Sequence, residues 1–195
     1  MPRKPRLYSP TSVYHWINRG VNQKHLFHSK DDYEHLLALL LEHKADHGVE
    51  IYHYCLMPNH IHILLKCEDR DVLSSFSKIV QRRYAYYYCK AHKWKGQVFQ
   101  RLYKALPVGQ DSYLLECGRY IERNPVRAKL AEKPSQYTYS SHAFYAGQAE
   151  SKLLTPSPAY LGISGNEYER QESYKDYVND ARPYEDLLDA AVLKS

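Results

Sequence analysis

The sequence predicts an α+β fold in which helices pack on one face of an antiparallel sheet and an additional helix follows the sheet. Short alternating runs rich in Val, Ile, Tyr and Trp predict the strands, and apolar residues at helical spacing predict the helices. In chain order these elements are β-α-β-β-α-β, which is the split βαβ, or ferredoxin-like, plan. Helices on one face would leave the other face of the sheet free for a ligand.

Each predicted element has a local signal at one of its ends. Ser29 and Asp32 have the spacing of a capping box, which begins the first helix. Turn residues at 57–59 join the second and third strands as a hairpin. The Asn124-Pro125 step ends the last helix, because proline disfavours the helical conformation of the residue before it. The predicted strands cover residues 12–19, 51–56, 60–67 and part of 98–108, and the predicted helices cover 30–47, 72–92 and 111 to about 122.

Charge is distributed unevenly along the chain. The total is +5, but five basic and nine acidic residues give 149–195 a net charge of −4 and leave +9 on residues 1–148. We therefore expect one domain over 1–148 and an acidic C-terminal appendage over 149–195. A basic domain suits a polyanion, usually a nucleic acid, although an ordinary solvated surface is the alternative. The appendage could cover the basic surface as a mimic of DNA, in which case its deletion would tighten DNA binding.

Composition and spacing argue against several other classes. Apolar runs do not approach the roughly 20 residues that a membrane-spanning helix needs. The basic start of the chain lacks the apolar core of a signal peptide. The cysteines are scattered without a C-x-x-C pair, which favours neither a disulfide framework nor a structural zinc site. We expect a cytoplasmic location and no membrane partner. The four cysteines are Cys55, Cys67, Cys89 and Cys117.

The strongest local motif is His60-Ile61-His62 within the third predicted strand. Residues two apart on a strand face the same side, so both imidazoles project together while Ile61 points into the core. Two neighbouring imidazoles could hold a divalent ion with one further oxygen or nitrogen ligand. The alternative is a pair of hydrogen-bonded histidines at the surface of the sheet.

A second motif lies at the end of the last predicted helix. Tyr120 and Asn124 are four residues apart and share a helix face. A phenol beside an amide oxygen near a metal would suit a nucleophile and a ligand. In the alternative interpretation, Tyr120 fills the core and Asn124 closes an ordinary amphipathic helix.

Basic residues interleaved with tyrosines are the third feature. The chain has 20 tyrosines, and rings alternating with cations are typical of surfaces that bind single strands by stacking and by phosphate contacts. Much of the tyrosine content must nevertheless lie in helix cores. The candidate DNA-binding residues are Arg3, Lys4, Arg6, Arg82, Arg83, Arg101, Lys104 and Arg127.

Two longer segments resemble a known family. The segment Cys-Leu-Met-Pro-Asn-His-Ile-His-Ile-Leu-Leu at 55–65 is followed by Tyr-Ile-Glu-Arg-Asn-Pro-Val-Arg-Ala at 120–128. Together they closely resemble the REP-associated tyrosine transposases, which belong to the single-tyrosine HUH transposases. The resemblance covers about residues 8–147. Three further blocks also resemble this family: Asn18-Arg19-Gly20 with Asn22, Phe99-Gln100-Arg101 with Tyr103-Lys104, and residues 137–141.

The resemblance implies a ferredoxin-like sheet and roles for individual residues. His60 and His62 match the metal-binding pair, and Tyr120 matches the nucleophile. Asn124 matches a position whose side chain completes the metal site, although glutamine is common there. Glu122 stands where many relatives carry histidine, so the resemblance assigns it no role.

The resemblance also implies an activity and its partners. It indicates a DNA transposase and endonuclease that cleaves and rejoins single-stranded DNA through a 5′-phosphotyrosine, with Mg²⁺ or Mn²⁺ as the divalent metal. The implied substrates are hairpins of the REP palindromes, bound by a monomer or a homodimer. Two alternatives are a non-catalytic REP-hairpin-binding regulatory protein and a metal-dependent nuclease that uses water.

Overall fold

The computed structural model describes residues 9–100, 103–109 and 111–182. These residues form a four-stranded sheet with the spatial order β2-β3-β1-β4, and every neighbouring pair is antiparallel. This order confirms the predicted ferredoxin-like plan. The strands are β1 (Val13–Arg19), β2 (Glu50–Met57), β3 (His60–Lys66) and β4 (Lys104–Val108). The helices are α1 (Lys30–Asp46), α2 (Arg70–Ala91), α3 (Asp111–Arg127), α4 (His142–Tyr145), α5 (Pro158–Leu161) and α6 (Glu167–Asn179), and the 3₁₀ turns are Val21–Gln23 and Pro134–Gln136.

Helices α1 and α2 cover one face of the sheet, as predicted. Trp16 of β1 and Ile63 of β3 are fully buried there in a cluster with Leu40 of α1 and Val80 of α2. Burying one such aliphatic side chain contributes roughly 1.5–3 kcal/mol, so this cluster anchors the sheet. Because side chains alternate along a strand, the residues next to Trp16 and Ile63 point to the opposite face.

Helix α3 packs on that opposite face, which the sequence had predicted to be free for a ligand. Ile121 of α3 is fully buried in a second cluster with Ile17 of β1 and Leu64 of β3. The prediction of a free face was wrong for this part of the sheet, because α3 is strongly amphipathic and buries its apolar side there. The described residues therefore form three layers, with His62 and Tyr120 between the sheet and α3.

The predicted end of this helix near residue 122 was also wrong. Pro125 lies inside α3, which continues to Arg127. Proline has no N–H to donate to the carbonyl oxygen four residues earlier, that of Ile121. The side-chain Nδ2 of Asn124 donates instead to the carbonyl oxygens of Tyr120, at 2.8 Å, and Ile121, at 3.4 Å. A side-chain donor thus replaces the missing backbone donor and the helix passes through the proline.

The described part of the acidic segment, residues 149–182, packs against the body of the protein. Thr155 N donates to Ile51 O at 2.8 Å, which places this segment alongside β2. Helix α6 lies on α3, where two arginines hold its C-terminal carbonyl oxygens. Arg119 Nε donates to Tyr177 O at 3.0 Å, and Arg123 Nη1 donates to Val178 O at 2.9 Å. Cations at this end also complement the negative end of the helix dipole.

Among the described residues, none of the helices combines the length and the apolar character that a bilayer-spanning segment requires.

We predict that Arg123→Ala destabilises the protein by separating α6 from α3. The Arg123 side chain is 5% exposed and donates to the carbonyl oxygens of Val178 and Asn179, so truncation leaves polar groups without a donor. The expected loss in the free energy of unfolding is about 1–3 kcal/mol, measured by urea denaturation. The exposed Lys78→Ala on α2 is the control and should stay within about 0.5 kcal/mol of wild type. An equally small effect for Arg123→Ala would contradict the docking of α6 described above.

Candidate functional site

His60 and His62 point from β3 toward the face that α3 covers. Their rings are 4.9 Å apart between centroids and nearly perpendicular, at 82°. His62 is fully buried and His60 is partly exposed. The alternation predicted for this strand is therefore present, since Ile61 and Ile63 lie in the cluster on the other face.

Tyr120 meets these histidines from α3. Its ring centroid lies 6.0 Å from that of His62, edge to face, and its exposed fraction is 2%. The guanidinium carbon of Arg127, two turns later on the helix, lies 5.2 Å from the centre of the Tyr120 ring. Asn124 lies one turn after Tyr120 and is 6% exposed. The structure thus brings together residues that the sequence separates by about sixty positions.

Hydrogen bonds assign the proton positions of His60. Its Nδ1 lies 2.6 Å from Asn59 Oδ1, and Asn59 Nδ2 donates to Gln23 O at 3.4 Å. Since Oδ1 can only accept, His60 carries a proton on Nδ1, and in a neutral ring the lone pair would be on Nε2. That is the state in which a histidine ligates a metal.

His62 is oriented by a third histidine, His15 of β1. Nδ1 of His62 lies 2.9 Å from Nε2 of His15. Burial lowers the pKa of His15 to about 3, so His15 is neutral and its Nε2 can accept a hydrogen bond from His62 Nδ1. The opposite atom, His62 Nε2, is buried and has no hydrogen-bond partner among the described residues. A buried nitrogen without a partner is costly, and a ligand that supplies one would remove that cost.

The donor set suits a divalent metal, because His60 and His62 offer imidazole nitrogens and Asn124, one turn after Tyr120, offers an amide oxygen. Asn124 uses Nδ2 for the helix carbonyl oxygens, which leaves Oδ1 as its remaining acceptor. Within the described parts of the chain, no group of three His, Cys, Asp or Glu side chains is arranged to hold a metal. The candidate ligand set therefore depends on the amide oxygen of Asn124 in addition to His60 and His62.

The predicted DNA-binding residues separate into three groups. Arg127 acts on His62 by its charge, and Lys104 lies on the same face, separated from His62 by Ile17 of β1. Burial, and then the charge of Arg19, lower the pKa of Lys104. Arg82 and Arg83 lie on α2, across the sheet from Tyr120, and Arg83 pairs with Glu42 of α1. Four others lie outside the described residues: Arg3, Lys4, Arg6 and Arg101.

Comparison with known families identifies the chain. The family described as "Transposase IS200 like" matches residues 9–124, more than half of the chain, and this range includes His60, His62 and Tyr120. The chain belongs to the IS200-like transposase family. No curated protein matched the sequence.

One solved structure has the same fold as this IS200-like transposase, and a second solved chain is less similar. A REP-associated tyrosine transposase bound to a REP hairpin matches with a TM-score of 0.65 and 16% identity, over 82% of this chain and 93% of that chain. A candidate transposase from Deinococcus radiodurans R1 gives a TM-score of 0.43 and 22% identity, over 63% of this chain and 97% of that chain. The first match shows that the two proteins share a fold.

Glu122, two residues after Tyr120 on α3 of the transposase, is a buried and ionised carboxylate, and the sequence alone assigns it no role. Glu122 is fully buried and accepts hydrogen bonds from four side chains. Burial by itself raises its pKa, but the hydrogen bonds and charges of His142 and His53 lower it to about 2. The four donors are His53 Nδ1 at 2.9 Å, Ser141 Oγ at 2.6 Å, Tyr174 Oη at 3.1 Å and His142 Nδ1 at 3.3 Å.

These donors connect β2, the α4 region and α6 to the helix that carries Tyr120. The close approach of α3 to β2 also requires Gly118, because a Cβ there would lie 2.6 Å from His53 Nε2. Local sequence offers no signal for this network, since the donors lie 19 to 69 residues from Glu122. His15 was missed for a similar reason, although its place in an alternating strand puts it on the same face as His62.

We predict a specific loss of stability in acid from Glu122. Its pKa in the folded protein lies below the ordinary value of 4.5, so its contribution to stability is present above about pH 4.5 and is lost as the pH falls toward 2. The linked free energy is on the order of 3 kcal/mol. Urea denaturation between pH 5 and 2 should therefore show a steeper decline for wild type than for Glu122→Gln. The exposed Glu150→Gln should follow wild type, and parallel curves for Glu122→Gln and wild type would contradict this role of the carboxylate.

Proposed function

We propose that this IS200-like transposase cleaves and rejoins single-stranded DNA at hairpins, with Tyr120 as the nucleophile. The observation that carries this proposal is the buried contact between Tyr120 and His62. Arg127 lies beside the Tyr120 ring, and the buried Nε2 of His62 has no hydrogen-bond partner among the described residues. Family membership supports the proposal, and so does the fold shared with a transposase bound to a REP hairpin. REP-type hairpins are accordingly the substrates we propose for this chain.

The proposed reaction is a transesterification. The Tyr120 hydroxyl attacks the phosphorus of a phosphodiester and loses its proton, while the bond from phosphorus to the 3′ oxygen breaks and that oxygen gains a proton. The products are a 3′-hydroxyl and a 5′-phosphotyrosine. One phosphoester replaces another, so the reverse attack by a 3′-hydroxyl rejoins a strand without ATP. A free tyrosine has a pKa of about 10, so the site must favour the negative charge. The Arg127 guanidinium beside the ring is placed to stabilise that charge.

His60, His62 and Asn124 are the residues that we propose hold Mg²⁺ or Mn²⁺. When bound, such an ion supplies charge neutralisation at a non-bridging oxygen of the scissile phosphate. Two hydrogen bonds would orient the histidines for such an ion. Asn59 Oδ1 accepts from His60 Nδ1, and His15 Nε2 lies in hydrogen-bond contact with His62 Nδ1. Burial of both Tyr120 and His62 keeps water away from these groups and strengthens electrostatic interactions between them.

We predict that His15→Leu weakens the binding of Mn²⁺ by about 10- to 100-fold, because removal of a group that orients a ligand has effects of this size. Isothermal titration of Mn²⁺ into the protein without DNA measures this directly. His15→Gln should restore part of the affinity, since its side-chain oxygen can accept from His62 Nδ1. His25→Leu, which removes an exposed histidine, is the matched control. Unchanged affinity in His15→Leu would show that His62 does not depend on His15.

We predict that Tyr120→Phe abolishes a covalent protein–DNA adduct and leaves hairpin binding within about twofold. Wild type, incubated with a labelled single-stranded hairpin and Mn²⁺ or Mg²⁺, should give a metal-dependent band that survives a denaturing gel. Tyr113→Phe changes an exposed tyrosine on the same helix and should keep the band. An adduct that persists in Tyr120→Phe would contradict the assignment. Cleavage without an adduct would indicate water as the nucleophile, and binding with neither would indicate a regulatory protein.

A further inference from the structure

Two sequence motifs that the proposed chemistry does not use lie together in the structure. One is Asn18-Arg19-Gly20 with Asn22, and the other is Phe99-Gln100, almost eighty residues later. Gly20 and Phe99 form an antiparallel bridge, and Gln100 N donates to Arg19 O at 2.7 Å. A second backbone bond, from Val21 N to Val98 O at 2.9 Å, holds the two segments side by side.

Between these segments is a pocket of about 530 Å³, within the range of roughly 300–1,000 Å³ that is typical of ligand sites. Most of its lining consists of carboxamide side chains, with one guanidinium, and no carboxylate is among the described residues that line it. Carboxamides present a hydrogen-bond donor and an acceptor side by side. The lining residues are Arg19, Val21, Asn22, Gln23, Gln97 and Gln100.

The backbone of the pocket is held in an uncommon conformation. Asn22 and Gln23 have φ values of 51° and 59°, in the left-handed region that side chains other than glycine rarely adopt. Gly20 permits the tight turn, because a Cβ at this position would overlap the carbonyl oxygen of Lys24. Such conformations persist where the surrounding contacts enforce them, and they are frequent at ligand-binding sites.

The pocket is joined to the candidate active site through Asn59. The same side chain that fixes the proton of His60 also donates to Gln23 O in the pocket, and Gly20 N donates to Asn59 O at 2.9 Å. Arg19 is directly opposite His60 in the pairing of β1 with β3. A DNA strand with its scissile phosphate at His60 and Tyr120 would therefore pass beside the pocket.

We propose that this pocket binds one unpaired nucleotide next to the scissile phosphate and selects it by its base. Asn and Gln side chains match the donor and acceptor edges of bases, and proteins read single strands by hydrogen bonds to bases that are splayed out of the stack. The positive charge of Arg19 suits the phosphate of that nucleotide. This inference rests on the proposed function, since it takes the strand at Tyr120 as its ligand.

The test compares base selection in matched variants. Hairpins with randomised unpaired flanks are mixed with each of three proteins, and the DNA that each protein retains is sequenced. The proteins are wild type, the triple variant Asn22→Ala/Gln97→Ala/Gln100→Ala and the single variant Gln148→Ala. The three substituted side chains are exposed, and equal melting temperatures will show that the fold is intact. Gln148 is an exposed carboxamide outside this pocket and serves as the control. The same proteins are run in the adduct assay.

Wild type and Gln148→Ala should enrich a particular base at one unpaired position. The triple variant should lose that enrichment by about 5- to 150-fold, the range of one bidentate base contact, while it still forms an adduct. Equal base preference in the triple variant, or no preference in wild type, would overturn the inference even if the adduct forms. Failure of the proposed function has a different result: wild type would select a base but form no adduct.

Discussion

The position of α3, the helix that carries Tyr120, depends on the hydrogen bonds of the buried Glu122 carboxylate. A carboxylate without exposure to water is tolerated only when hydrogen-bond donors and positive charge surround it. Here the donors come from β2, from the start of α4 and its preceding residue, and from α6. These contacts favour the observed placement of α3 on the sheet, in which Tyr120, two residues before Glu122, lies against His62.

This arrangement explains why the C-terminal segment contacts the body of the protein. Tyr174 of α6 donates to Glu122, and Arg119 and Arg123 of α3 hold the carbonyl oxygens at the end of α6. The acidic composition of residues 149–195 suggested an appendage that mimics DNA. The contacts of residues 149–182 add a role in supporting α3, so deletion of this segment would affect the fold as well as the charge.

The sequence predicts the sheet and its hairpin well, because alternation, capping and turn residues are local signals. The histidine pair could likewise be placed on one face of a strand from its spacing alone. The path of α3 could not be predicted, since proline usually ends a helix and the substitute donor is the side chain of Asn124. The partners of Glu122 and the contact of His15 with His62 join distant parts of the chain, which a single sequence does not reveal.

We propose that one chain contains the complete site, since its own Tyr120 on α3 lies against its own His62. The most direct test mixes a Tyr120→Phe protein with a His60→Ala/His62→Ala protein of different size, adds hairpin DNA and Mn²⁺, and examines denaturing gels. Each protein lacks one half of the proposed site, and wild type at the same concentration is the positive control. We expect no covalent adduct in the mixture. An adduct on the protein that lacks the histidines would contradict it, because a tyrosine of one chain would then act with the histidines of another.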